Sequence, residues 1–234
     1  MENTQLLQFL KGKFLENPAS ANPGPAVTIS REYGCQGFEL ADKLAKTLST
    51  RMDASGKRHE WHAIGKEIIE EAAENFQLPV DLVDAVSRSK PKGVLSEFLE
   101  SLSPYQRPCD IEIKKMVANI VMAAARQGHV VIVGRGGSIL TSNMKNCLHV
   151  GLNASLPWRI ERIMDMKKCD KATAEDLITH VDMERNYLRH FLAGESIDAH
   201  IFDIVFNMER MSVDTSLELI LYALEQKKII RPAI

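Results

Sequence analysis

Short continuous apolar runs alternate along this chain with longer stretches whose apolar positions recur every three or four residues. The first run, Val27-Thr28-Ile29, leads into Ser30-Arg31-Glu32-Tyr33-Gly34-Cys35-Gln36-Gly37. Phe38 to Leu48 then places Leu40, Ala41, Leu44, Ala45 and Leu48 on one face, the period of a helix packed on one side. A strand, a glycine turn and a helix in that order can bring backbone amides to an anion. A short second strand is expected around Thr50 to Ala54. Helices are expected over Ile64 to Phe76 and Asp81 to Ser87, and Leu95 to Leu102 makes two turns inside an irregular stretch from Ser89 to Pro108.

Ile113, Met116, Val117, Ile120, Val121 and Ala124 mark the next helix, with Gly128 as its stop. Val130 to Val133 is apolar throughout, as a parallel strand covered on both faces must be. Cys147 to Leu152 is a further strand. Pro157 suits the first turn of the helix that follows, where its missing amide proton costs little. Thr173 is expected to cap a helix from Ala174 to about Leu192, before Gly194. Asp203 to Asn207 is the last strand, and Ser212 caps a helix through about Glu225.

This order describes a doubly wound α/β domain. A parallel sheet lies between two helical layers, and ligand loops gather beyond the carboxyl ends of the strands. The domain spans residues 26–228. It includes a helical insertion at 57–110, placed around an acceptor site, and a lid-like stretch at 168–195. Residues 1–25 form a leading amphipathic helix and a proline-containing linker, and 229–234 a tail.

Composition narrows the chemistry. With 29 basic against 31 acidic side chains, no global positive field points to nucleic acid. No apolar run reaches the length of a membrane helix, and no secretory signal opens the chain. The four cysteines include no CxxC pair. A reducing, cytoplasmic setting with no fixed structural metal is therefore expected. The cluster His59, Glu60, Trp61 and His62 lacks the HExxH spacing and reads as packing and surface. A homo-oligomer is compatible with all of this.

Charged residues near the strand ends are the chemical candidates. Arg135, between Gly134 and Gly136, follows the apolar strand, where a guanidinium can bind a phosphate through two directional hydrogen bonds. Arg159 and Arg162 lie three apart on one helix. Asp182, Arg185 and Arg189 share one face of another. Each has a plainer reading as a helix salt bridge. Cys35 is open to two readings: a thiolate favoured by loop dipoles, or a packed side chain.

The motifs Ile29-Ser30-Arg31-Glu32-Tyr33-Gly34, Val131-Ile132-Val133-Gly134-Arg135-Gly136, Arg159 with Arg162, Asp182 with Arg185, and Phe202-Asp203-Ile204-Val205-Phe206-Asn207 occur in the order of a known family. From about Ala26 to Leu224 the chain resembles the cytidylate kinase-like family of P-loop nucleoside monophosphate kinases. The resemblance implies a P-loop kinase-like three-layer fold and phosphoryl transfer from ATP, with magnesium, to a nucleoside monophosphate, CMP first. It implies that Arg31, Gly34, Cys35, Gln36 and Gly37 hold the donor. Arg135, Gly136, Arg162 and Arg189 would hold the acceptor, and Arg159, Asp182 and Arg185 would serve the transfer.

The chain departs from the pattern in its first loop. Gly37 stands where the lysine belongs and Phe38 where a hydroxyl belongs. Close family members read Gly-x-Gly-Gly-Arg where this chain reads Gly34-Cys35-Gln36-Gly37-Phe38. Ile178 stands where a further lid arginine is usual. These departures keep two alternatives in view: an inactive nucleotide-binding regulatory protein, and a protein-interaction module.

Overall fold

A computed structural model describes residues 24–53, 55–66, 108–193 and 199–232. Its centre is strand β1 (Ala26–Arg31), followed by helix α1 (Gly37–Thr50). Then come β2 (His62–Ile64), α2 (Pro108–Gln127), β3 (Val130–Val133), a single turn α3 (Gly137–Leu140) and β4 (Cys147–Asn153). Helices α4 (Leu156–Lys167) and α5 (Lys171–Ala193) form a hairpin. Strand β5 (Ile204–Asn207) and helix α6 (Val213–Gln226) complete the order.

The five strands are parallel and lie in the order β2-β3-β1-β4-β5. β1 therefore has a neighbour on each side. Ala26 to Ile29 pair with Val130 to Val133, and Ala26 to Arg31 with Cys147 to Leu152. Because the strands are parallel, the loops after β1, β3 and β4 all open at one end of the sheet. Two backbone hydrogen bonds secure that end: Gly134 N donates to Ile29 O at 3.0 Å, and Glu32 N to Leu152 O at 3.0 Å.

Alternating side chains of β1 reach opposite faces, which explains why Ala26 to Ser30 are all apolar or small. Val27 and Ile29 join Val131, Val133, Leu148 and Val150 under α1 and α6. Ala26, Val130 and Ile132 meet Val117, Ile120, Val121 and Ala124 of α2 on the other face. The α4–α5 hairpin has its own small core of Ile160, Ile163, Ala174 and Ile178, against which Tyr33 of the first loop packs. Ile178, at the position of the unmatched lid arginine, is thus a packing residue. Among the described residues no helix is long and apolar enough to cross a membrane.

The structure departs from the sequence reading in several places. The second sheet strand lies at His62–Ile64, inside the stretch read as helical, and the segment after α1 makes only isolated bridges at Met52 and Asp53. Ile64 is buried against α2, so three residues with one apolar anchor suffice for a parallel edge strand. Helix α5 starts at Lys171, because the Asp170 carboxylate, rather than Thr173, takes the first-turn amide: Thr173 N donates to Asp170 Oδ1 at 2.8 Å. Ile229 and Ile230 are buried in the main core, so the chain stays packed beyond residue 228. Trp61 packs in the core as expected, while His59 is half-buried rather than a surface residue, pairing with Asp53 and stacking on His129. The leading helix and the expected helices between 67 and 107 lie outside the described residues.

Buried Thr28 of β1 and His149 of β4 lead to an exposed ion pair of Asp203 and Lys227. Thr28 Oγ1 and His149 Nδ1 are 2.8 Å apart, the His149 amide donates to Asp203 Oδ2 at 2.7 Å, and Lys227 Nζ reaches Asp203 Oδ1 and the Cys147 carbonyl, each at 3.0 Å. Burial lowers the His149 pKa, the nearby Asp203 charge works the other way, and Lys227 adds to the lowering. The native state therefore holds this imidazole neutral, while the unfolded chain takes up a proton near pH 6.5. Stability is fully present above that pH and is lost as pH falls toward the native pKa. Thermal melting should show a falling midpoint below about pH 6.5 that is flatter in His149→Gln; equal pH slopes in the two proteins would rule the assignment out.

Candidate phosphate-binding site

The loop from Glu32 to Gln36 is a tight turn with its own ladder. Cys35 N donates to Glu32 O at 3.3 Å, and Gly34 takes a φ of +96° that disfavours any side chain. Gln36 precedes α1 in the left-handed region, and its side chain does not cap the helix; Nε2 instead donates to Glu39 Oε2 at 2.8 Å. The first amides of α1 thus carry the positive end of the helix with no side-chain cap over them.

Arginines from α4 and α5 hold this loop from outside. Arg159, only 8% exposed, pairs with Asp182 and donates to the Tyr33 carbonyl at 3.4 Å. Its Nε lies 3.5 Å from Glu32 Oε2 without forming a hydrogen bond. Arg162 Nε donates to the Gly34 carbonyl at 3.2 Å, and its guanidinium lies over the Trp158 ring. Asp182 Oδ1 accepts from the Tyr33 amide at 2.8 Å. Arg185 donates to the Arg31 carbonyl at 3.1 Å, lies 3.6 Å from Asp182 and covers the Tyr33 ring. Burial lowers the Arg185 pKa, which Asp182 opposes and the nearby Arg189 charge reinforces. Arg189 itself bonds Asn186 on its own helix.

The loop after β3 closes the other side. Gly134, Arg135 and Gly136 are all left-handed, with φ of +74°, +52° and +70°. A non-glycine residue there costs on the order of 1 kcal/mol or more, so the bend is held against strain. A β-carbon on Gly136 would collide with Leu192 of α5, and one on Gly134 would collide with the Arg31 guanidinium. Loop β1, loop β3 and helix α5 therefore meet at one place.

Of the residues proposed from sequence, Arg31, Gly34, Gln36 and Gly37 line this junction with Arg159, Arg162, Asp182 and Arg185. Arg135 and Gly136 border it. Arg189 stands one turn beyond Arg185. Cys35 is packed into the main core, and burial pushes its thiol up to about 12. The dipole argument for a thiolate there gives way to desolvation. Glu32 and Tyr33 were not singled out from sequence. Glu32 accepts from the Ala154 amide at 3.1 Å as well as facing Arg159. The signal for it was present: buried arginines require carboxylates, and Glu32 lies within the first motif.

Phosphate chemistry fits these donors better than a protein-held metal. Phe38 offers no oxygen, Glu32 and Asp182 are engaged by amides and arginines, and Glu39 is held by Gln36. Among the described residues no group of three or more His, Cys, Asp and Glu side chains is placed to hold a metal ion.

A five-stranded parallel sheet with helices packed against it and arginines gathered at its strand ends defines the class as a parallel α/β protein. The sequence model of the cytidylate kinase-like family matches residues 26–210, and the chain belongs to that family. A cytidylate kinase from Staphylothermus marinus is 28% identical over 135 residues, covering 56% of this chain and 72% of that protein. An uncharacterized protein from Eubacterium ventriosum superposes with a TM-score of 0.63 at 20% identity, over 86% of this chain and 98% of the other, which supports the fold. A shikimate kinase from Bacteroides thetaiotaomicron gives a TM-score of 0.44 at 13% identity, with 86% and 98% covered.

Asp182 joins the hairpin to the loop, and removing it leaves the buried Arg159 without its hydrogen-bonded carboxylate, with only Glu32 nearby at 3.5 Å. Asp182→Ala should lower unfolding free energy in urea by about 3 kcal/mol, with Asp182→Asn losing less because its amide oxygen still accepts from Tyr33. Wild-type stability in the alanine variant would mean that the pair does not join hairpin and loop.

Proposed function

We propose that the chain transfers the γ-phosphoryl group of ATP to a nucleoside monophosphate, with CMP as the first acceptor to consider. The observation that carries this reading is the convergence of arginines from three elements on one uncapped loop. Phosphoryl transfer asks little covalent chemistry of a protein; it asks for position and for positive charge around crowded oxygens.

In this reading the amides of Gly34, Gln36, Gly37 and Phe38 and the Arg31 side chain face the donor phosphates. Arg135, with Gly136 behind it, binds the acceptor phosphate, and Arg162 and Arg189 supply further positive charge to the acceptor side. An oxygen of that phosphate forms the new bond to the γ-phosphorus as the bond to ADP breaks, so CMP and ATP become CDP and ADP with no covalent enzyme intermediate. Arg159 and Arg185 offset charge during the exchange. Asp182 holds both in place. Among the described residues no group of side chains is placed to hold magnesium by itself.

A second reading is favoured by one specific feature. Gly37 and Phe38 bring neither cation nor hydroxyl to the start of α1, and Phe38 is half exposed. A chain that binds nucleotide and transfers nothing would tolerate both residues. It predicts ligand binding with no diphosphate product.

Incubation with ATP and magnesium across CMP, UMP, dCMP, AMP and GMP, with ATP alone as the control, separates the two. The expected result is an acceptor-dependent diphosphate, with the acceptor KM raised roughly 10- to 100-fold in Arg135→Ala, the loss of a charged hydrogen bond pair. Folded protein that binds ATP and gives no product with any acceptor would support the binding-only reading.

A further inference from the structure

The cation that polyphosphate binding calls for is absent from position 37, yet the space there is not left to solvent. A β-carbon on Gly37 would stand 3.0 Å from Cγ, 3.2 Å from Cδ and 3.4 Å from Cβ of Arg31. The Arg31 stem therefore runs across the place where a side chain at position 37 would begin. Its guanidinium ends over Gly134, so close that no β-carbon fits there. One side chain thus crosses from the loop after β1 to the loop after β3. Its backbone is fixed as well: Glu32 N donates to Leu152 O, and the Arg31 carbonyl accepts from Arg185 at 3.1 Å.

We propose that Arg31 supplies the phosphate-binding charge of this site from the opposite side of the loop, through the gap that Gly37 leaves, with its guanidinium between the donor and acceptor phosphates. This rests on the phosphate-transfer reading and assigns within it the residue that replaces a cation on α1. Gly37 and Gly134 then have a common cause. A side chain at either position would enter the volume that Arg31 occupies, and at Gly134 the φ of +74° disfavours one as well. Gly37 has no left-handed φ to demand glycine, so contact with Arg31 is its remaining structural constraint. A guanidinium suits this place better than an ammonium, because its planar fork can address two oxygens at once, one from each phosphate. The hydrogen bond from Arg185 links the position of this charge to the docking of α5.

The contrasting role for Arg31 is a staple that joins two loops and never meets a ligand. A double-mutant cycle distinguishes them. Calorimetric titration of the full chain with a non-hydrolysable ATP analogue, and separately with inorganic tripolyphosphate, is run alongside thermal melting. Arg31→Ala should weaken both ligands roughly 10- to 100-fold, as loss of charged hydrogen bonds does. Gly37→Ala should weaken them too, by displacing the Arg31 stem, and the double variant should be no worse than Arg31→Ala alone. Gly37→Lys combined with Arg31→Ala should recover part of the affinity. A lowered melting temperature with unchanged affinity in Arg31→Ala would establish the staple and overturn the proposal. Additive losses at the two positions would overturn it too. A folded wild-type chain that binds neither ligand would overturn the phosphate reading itself, and this inference with it.

Discussion

Guanidinium groups drawn around one short loop repel one another, and burying them removes the water that would screen them. Asp182 makes the arrangement possible. Its two oxygens take the Tyr33 amide and the buried Arg159, with Arg185 alongside. Glu32 adds a second carboxylate on the far side of Arg159. Because Asp182 belongs to α5 and Tyr33 to the loop after β1, the same contact that neutralises charge also joins the helical hairpin to the sheet. The hairpin's small core, closed by Tyr33, gives that junction an apolar floor. Loop shape, arginine placement and hairpin position therefore depend on one carboxylate.

The sheet explains why that carboxylate finds its partners. Parallel pairing on both sides of β1 brings the first, third and fourth strand loops to one end, and hydrogen bonds from Gly134 and Glu32 hold them there. Charged side chains far apart in sequence converge because short apolar strands fix where each loop begins. The left-handed run through Gly134, Arg135 and Gly136 turns the third loop sharply enough to leave room for the Arg31 head group.

Much of the fold was legible in sequence. The apolar block 130–133 gives itself away, while 26–31 and 147–153 carry Val27 and Ile29, and Leu148, Val150 and Leu152, at the two-residue period of a strand. Helices α1 and α6 show clear stripes, and Ser212 caps α6 as its sequence position suggests. The strand His62–Ile64 was not legible, because three residues with a single buried isoleucine carry too little pattern. Asp170 was missed as a cap because Thr173 competes with it in sequence, and only geometry shows which oxygen faces the amide. At the site, Arg159, Asp182 and Arg185 were readable as a set from helical spacing and family resemblance. Their union through the Tyr33 amide and Glu32 was not, since it depends on backbone contacts between segments over a hundred residues apart. The path of Arg31 was beyond sequence for the same reason: the gap at Gly37 is visible, but what fills it is not.

The central claim is that the junction of loops β1 and β3 with helix α5 is a phosphate site. A crystal structure with CMP and a non-hydrolysable ATP analogue tests it most directly. Donor phosphates are expected on the amides of Gly34, Gln36, Gly37 and Phe38, the CMP phosphate at Arg135, and the Arg31 guanidinium between them. Nucleotide bound elsewhere, or absent from a junction still filled only by Asp182 and its arginines at saturating ligand, would contradict it.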